Sequence, residues 1–67
     1  MSDFRARLSQ EHSELRTKIK KLQEFILGDN FESLAEVDRD DLREQLKHME
    51  QYCTVLTRRV GRLCNNA

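Results

Sequence analysis

The chain has 67 residues, of which 36% are charged and 37% hydrophobic, with two Gly and no Pro. This length allows one small domain, which buries too little surface to enclose an active site, so we expect no enzyme activity and no cofactor. Twelve basic side chains balance twelve acidic ones, and the resulting net charge of zero argues against a dedicated nucleic-acid-binding protein.

Apolar residues spaced by three and four positions predict a first helix from about Ser2 to Leu27. The spacing is that of the a and d positions of a coiled coil, and His12 occupies the one position that breaks it. Ser2 or Asp3 can cap this helix, and Gly28 can end it in the left-handed conformation. The predicted apolar seam of this helix consists of Leu8, Leu15, Ile19, Leu22 and Ile26.

Residues 28–34 are predicted to connect the first helix to a second one. Asp29 or Asn30 can cap one short turn that spans Phe31 to Leu34. A connection this short makes the two helices antiparallel neighbours. The apolar side chains expected to close this end of the hairpin are Phe31, Leu34 and Val37.

An unbroken a/d series predicts the second helix from about residue 35 to residue 63. Acidic residues between Glu36 and Asp41 fill its first turns, and arginines lie in its last turns, as the helix dipole favours. Beyond Leu63, the chain from Cys64 to Ala67 is expected to fray. The predicted seam of this helix consists of Leu42, Leu46, Met49, Cys53, Leu56, Val60 and Leu63.

The predicted architecture is therefore all-α, an antiparallel two-helix hairpin that dimerises into a four-helix bundle. A hairpin of this size needs additional stabilisation. A disulfide cannot supply it, because Cys53 and Cys64 would lie ~16 Å apart on one helix, beyond the ~7 Å limit for their Cα atoms. We expect a homodimer, and the residues predicted at the oligomer or partner interface are Phe4, Leu8, His12, Phe25, Tyr52, Val55 and Leu56.

The charges are unevenly distributed along the chain. Residues 28–43 carry a net charge of −4, whereas residues 1–27 and residues 44–67 each carry +2. Two hairpins in antiparallel orientation would place each acidic connector near the basic open end of the other, so an antiparallel homodimer is predicted. The basic residues could also neutralise nucleic-acid phosphates, an alternative that the interleaved glutamates make less favourable. This possible basic patch consists of Arg5, Arg58, Arg59 and Arg62.

Cys53 and His12 are predicted to lie at neighbouring seam positions, as a nucleophilic or metal-binding pair would. The alternative, which we favour, is a small buried side chain beside a polar seam residue. A histidine in a seam can also fix the register of the helices, and its protonation could weaken an assembly. Neither Cys-x-x-Cys nor His-x₃-His spacing is present, so we expect no metal site and no catalytic residue.

Three stretches of the sequence resemble a family of small phage and prophage accessory proteins from the early regions of lambdoid phages. They are Leu22–Ile26, Phe31–Leu34 and Asp41–Tyr52, the last with a Leu-x-x-Gln-Leu-x-x-Met-x-x-Tyr pattern that begins at Leu42. Ala35 departs from the pattern, since a Ser cap is common there. The resemblance implies a helical hairpin without a catalytic motif, encoded by a phage and made in the host cytoplasm.

Three functions remain compatible with the sequence. The first is a non-enzymatic, homo-oligomeric phage accessory protein that binds a host protein and so modulates replication, the cell cycle or defence. The second is a nucleic-acid-associated protein that uses the arginines of the open end. The third is an oligomer that sequesters a small signalling molecule in clefts between helices. A cytoplasmic location is expected for all three, because no stretch is apolar enough to span a membrane or to act as an export signal.

Overall fold

The computed structural model describes residues 3–65, which form an antiparallel helical hairpin about 48 Å long. Helix α1 spans Asp3–Leu27, a 3₁₀ helix spans Asp29–Ser33, and helix α2 spans Glu36–Asn65. No strand occurs among residues 3–65, so the all-α hairpin prediction is confirmed. The four-helix bundle remains a prediction about two copies of the chain.

The ends of the helices differ in detail from the predicted ones. Helix α2 runs past the predicted end at Leu63 to Asn65. The physical reason is that neither Cys64 nor Asn65 is a Gly or Pro that would stop the helix. The predicted cap at Ser2 and the predicted fraying of residues 66–67 lie outside the described residues.

The core is a single layer of side chains between the two helices. Leu8, Leu15 and Leu56 are buried, and Leu56 has no exposed surface. The half-buried side chains packed against these three are Ile19, Met49, Cys53, Val60 and Leu63. Towards the connector the seam residues are only half-buried, namely Leu22, Ile26, Leu42 and Leu46. Both predicted seams are therefore confirmed, with the tightest packing in the half near the open end.

The connector begins with an extended residue, which the sequence did not indicate. Gly28 has φ −86° and ψ 172°, so the predicted left-handed conformation is wrong. The chain passes directly from α1 into the 3₁₀ helix, whose cap residue must be extended. A Cβ atom at Gly28 would lie 3.3 Å from the Glu24 carbonyl oxygen, a tight contact that the glycine avoids. Asp29 and Asn30 lie inside the 3₁₀ helix rather than at its cap.

Phe31 closes the connector end of the hairpin and is only 1% exposed. The Phe25 ring meets it edge to face, with 6.3 Å between the ring centroids. From α2, the Arg43 guanidinium lies 5.0 Å from the centroid of the Phe31 ring, in a cation–π contact. Leu34 is half-buried as predicted, but Val37 is 64% exposed, so its predicted inward position is wrong. Val37 precedes Leu42 by five residues, a spacing that turns it away from the seam.

The burial pattern predicts unequal effects of two alanine substitutions in the seam of α2. Leu56→Ala is expected to lower the free energy of unfolding by about 2–5 kcal/mol, because it leaves a cavity at a fully buried position. Leu46→Ala is expected to cost less than half as much, since Leu46 is only half-buried. Urea denaturation of both variants at one fixed protein concentration measures the difference, and equal losses would contradict the uneven core.

Candidate functional site

At the open end, side chains from both helices form a small cleft of about 210 Å³. Arg59 and Arg62 of α2 line it beside the ring of Phe4, which is 55% exposed. Arg5 and Arg58 are also exposed, but they do not line this cleft. The four arginines predicted as a basic patch therefore divide into one pair in the cleft and two separate side chains.

The predicted interface residues fall into three groups. Leu8 and Leu56 are buried between the helices of one chain, so they present no surface to a second molecule. His12 is half-buried and faces α2. The four that do present apolar surface to solvent, each between 39% and 55% exposed, are Phe4, Phe25, Tyr52 and Val55.

Tyr52 links the two helices on the same flank as the open-end cleft. Its hydroxyl donates a hydrogen bond to the Glu11 carboxylate of α1. This bond, together with partial desolvation and the negative charge of Glu11, raises the pKa of Tyr52, while the nearby Arg59 opposes the shift. The Tyr52 ring thus presents apolar surface to solvent, while its hydroxyl group connects α2 to α1 through Glu11.

The opposite flank carries a groove of about 270 Å³, which we call the side groove. Ile19 and Cys53, both half-buried, form its apolar part. Its charged side chains are two cations one helical turn apart, Arg16 and Lys20, and the carboxylate of Glu50. The complete lining is Arg16, Ile19, Lys20, Gln23, Glu50, Cys53, Thr54 and Thr57.

The polar side chains of the side groove are arranged so that several accept hydrogen bonds. The Thr54 hydroxyl donates to the Glu50 carbonyl at 3.0 Å, and the Thr57 hydroxyl donates to the Cys53 carbonyl at 2.9 Å. The Gln23 amide nitrogen donates to the Glu50 carboxylate at 3.0 Å. The Thr54 hydroxyl oxygen and the Gln23 carbonyl oxygen keep lone pairs that can accept hydrogen bonds, and the Thr57 oxygen keeps one beside its contact with His12.

His12 forms its hydrogen bond across the hairpin with Thr57. Its Nε2 atom lies 2.9 Å from the Thr57 hydroxyl oxygen. With the Thr57 proton donated to the Cys53 carbonyl, the Nε2–H tautomer of His12 donates to the Thr57 hydroxyl oxygen. The predicted neighbourhood of His12 and Cys53 thus takes the form of a hydrogen-bonded link between the helices, with Thr57 in the middle.

Two kinds of feature are absent from residues 3–65. Residues 3–65 contain no group of three or more His, Cys, Asp or Glu side chains placed to hold a metal ion. Within the same residues, neither helix combines the length and the apolar character needed to cross a membrane.

The sequence did not indicate the side groove or the link between Tyr52 and Glu11. The spacing of Arg16 and Lys20 was visible as a pair on one face of a helix. Which residues of α2 would lie opposite them depended on the register between the helices. Periodicity defines the face of each helix but leaves that register open.

The link between Tyr52 and Glu11 predicts a raised titration midpoint for the single tyrosine. Absorbance titration of the folded protein is expected to give a midpoint above the ordinary value of 10.0. A folded-state pKa above the unfolded one means that the link stabilises the protein fully below about pH 10 and less as pH rises through the folded-state pKa. Glu11→Gln should lower the midpoint, whereas Glu24→Gln, a matched change on α1, should not. Equal midpoints in all three proteins would contradict the link.

The comparisons with known proteins give one result. No curated protein and no solved structure matches the chain significantly. A family model described as Sequestin matches residues 2–62, a range that includes the connector and nearly all of both helices. This chain therefore belongs to the Sequestin family.

Proposed function

We propose that this protein is a non-enzymatic, self-associating helical hairpin that sequesters a small anionic molecule. The description of its family, Sequestin, denotes sequestering and supports this function. The observation that carries the proposal is the side groove, where two cations, Arg16 and Lys20, outnumber the single acid, Glu50, beside an apolar surface. Sequestration requires a protein to bind a ligand and leave it chemically unchanged, which a small open groove suits.

The chemistry of the groove indicates the class of ligand. Arg16 and Lys20 favour an anionic group on the α1 side, because charge-assisted hydrogen bonds are the strongest ones available. The acceptor oxygens of Thr54 and Thr57 favour hydrogen-bond donors of the ligand on the α2 side. The proposed ligand therefore carries an anionic group at one end and N–H or O–H groups at the other.

The size of the groove and the charge of the chain favour a small molecule over a polymer. The volume of about 270 Å³ lies just below the ~300 Å³ lower end of common ligand pockets. A long polyanion needs an extended basic surface, whereas this chain has a net charge of zero. Nucleic-acid binding is therefore the less favoured use of these cations.

The proposal predicts that an anionic probe binds in the side groove. Inorganic pyrophosphate, titrated into ¹⁵N-labelled full-length protein, is expected to shift the amide signals of Arg16, Lys20, Thr54 and Thr57. The double variant Arg16→Gln/Lys20→Gln should weaken pyrophosphate binding about tenfold, because both cations of the groove are lost.

The matched control is Lys18→Gln/Lys21→Gln, which removes two charges from the same helix but from outside the groove. This control should bind the probe within about twofold of wild type. Equally weakened pyrophosphate binding in both double variants would show general charge attraction and would overturn the side groove as the binding site. Tighter binding of a DNA duplex than of pyrophosphate by the wild type would favour the nucleic-acid function instead.

A second candidate function is binding to a host protein. It is favoured by the exposed side chains of Phe4 and Tyr52, because aromatic residues are enriched at protein–protein interfaces. The resemblance to phage accessory proteins supports a phage-encoded protein that acts in the cytoplasm of its bacterial host, on replication, the cell cycle or defence. Loss of host-protein binding on Tyr52→Ala, with pyrophosphate binding unchanged, would favour this candidate.

A further inference from the structure

A second regular series of residues runs along α2 beside its apolar seam, and we call it the outer stripe. Its members repeat with spacings of three and four, like the seam itself, and they keep one face of the helix over ~36 Å. All are exposed except Arg59, which is half-buried. The outer stripe consists of Asp38, Asp41, Gln45, His48, Tyr52, Val55, Arg59 and Arg62.

The positions of the outer stripe are symmetric about the level of Glu50. If a second α2 is laid against it in the antiparallel direction, Asp41 faces Arg59 of the other copy, and Asp38 faces Arg62. In the middle, His48 faces Tyr52 and Gln45 faces Val55. Two aspartates at one end and two arginines at the other thus make the stripe complementary to itself, as a twofold interface requires.

The charge order specifies the direction of this pairing. In a parallel pair, aspartates would face aspartates and arginines would face arginines, which is unfavourable. The helix dipole explains why acids lie near the start of α2 and arginines near its end. The dipole accounts equally for Asp40 and Arg58, which lie outside the stripe, so the pairing rests on the matched positions of the four stripe charges rather than on their presence.

The side chains of the outer stripe are available for such a contact. The ion pairs among the described residues join Arg39 to Glu32, Arg43 to Asp40 and His48 to Glu44, so none contains the four charged residues that would pair between copies. Tyr52 and Val55, 45% and 40% exposed, give the stripe an apolar middle. Phe4 of α1, beside Arg59 and Arg62 in the open-end cleft, extends this apolar surface.

We propose that the outer stripe is the surface through which two copies of this chain associate, antiparallel, with Asp41 against Arg59 and Asp38 against Arg62 of the other copy. The inference rests on the self-association in the proposed function and deepens it by naming the surface and register. Because the side groove lies on the opposite flank, this contact leaves Arg16 and Lys20 exposed.

Complementary charge reversals test the pairing on the full-length chain. Asp41→Arg alone places two arginine side chains together twice in each homodimer, and Arg59→Asp alone places two acids together twice. Each variant is expected to raise the dimer dissociation constant about tenfold, measured by sedimentation velocity. An equimolar mixture of the two variants lets heterodimers form in which one of the two contacts pairs the introduced arginine with the introduced aspartate and the other restores the original Asp41–Arg59 pair. These heterodimers should form with near wild-type affinity, detected by native mass spectrometry.

The matched controls are Asp40→Arg and Arg58→Asp, which make the same charge changes one residue outside the stripe. They should leave the dissociation constant within about twofold of wild type, and circular dichroism checks that all variants stay helical. A wild-type dimer that both stripe variants leave unchanged, or that both controls weaken equally, would overturn the stripe but not self-association. A wild-type protein that stays monomeric up to 100 times the protein concentration used in the pyrophosphate titration would overturn both the stripe interface and self-association.

Discussion

The contact between the two seams is the interaction on which the rest of this structure depends. Among the residues whose burial the structure describes, it buries Leu8, Leu15 and Leu56 between the helices, with Phe31 closing one end. A single layer of this kind covers one face of each helix and leaves two flanks of the hairpin in water. The side groove and the outer stripe lie on these two flanks, and each takes residues from positions next to the seam. The position of the seam therefore defines where every other surface of the molecule lies.

The two helices, their apolar seams and the hairpin could be predicted from the sequence, because they depend on the periodicity of apolar residues. Seam residues such as Leu15 and Leu56 repeat regularly, and the hairpin follows from two such series and a short connector. Features that depend on atomic detail were not predictable in this way. Gly28 is extended because a 3₁₀ helix follows at once, and a Cβ atom there would make a tight contact with a nearby carbonyl group rather than strain a left-handed turn. Val37 illustrates a simpler error, since its distance from Leu42 already placed it off the seam.

The candidate site was harder to predict than the fold, because it depends on register. Tyr52 and Glu11, or His12 and Thr57, meet only in one alignment of the two helices. A shift by one helical turn would keep both seams apolar while changing every polar contact beside them. Such contacts contribute little stability individually, since they are exposed to water. They do select one register among several that the apolar residues alone would allow, and so they determine which residues line the groove.

The small core also connects folding to assembly. Domains below about 70–80 residues rarely gain enough stability from one core, and this hairpin buries few side chains completely. Association through exposed residues such as Tyr52 and Val55 would stabilise the folded chain by mass action, so its apparent stability would rise with protein concentration. A ligand in the side groove would act in the same way from the other flank. Because the side groove is lined by side chains of both helices, a ligand bound there would also hold the two helices together without any change in the seam.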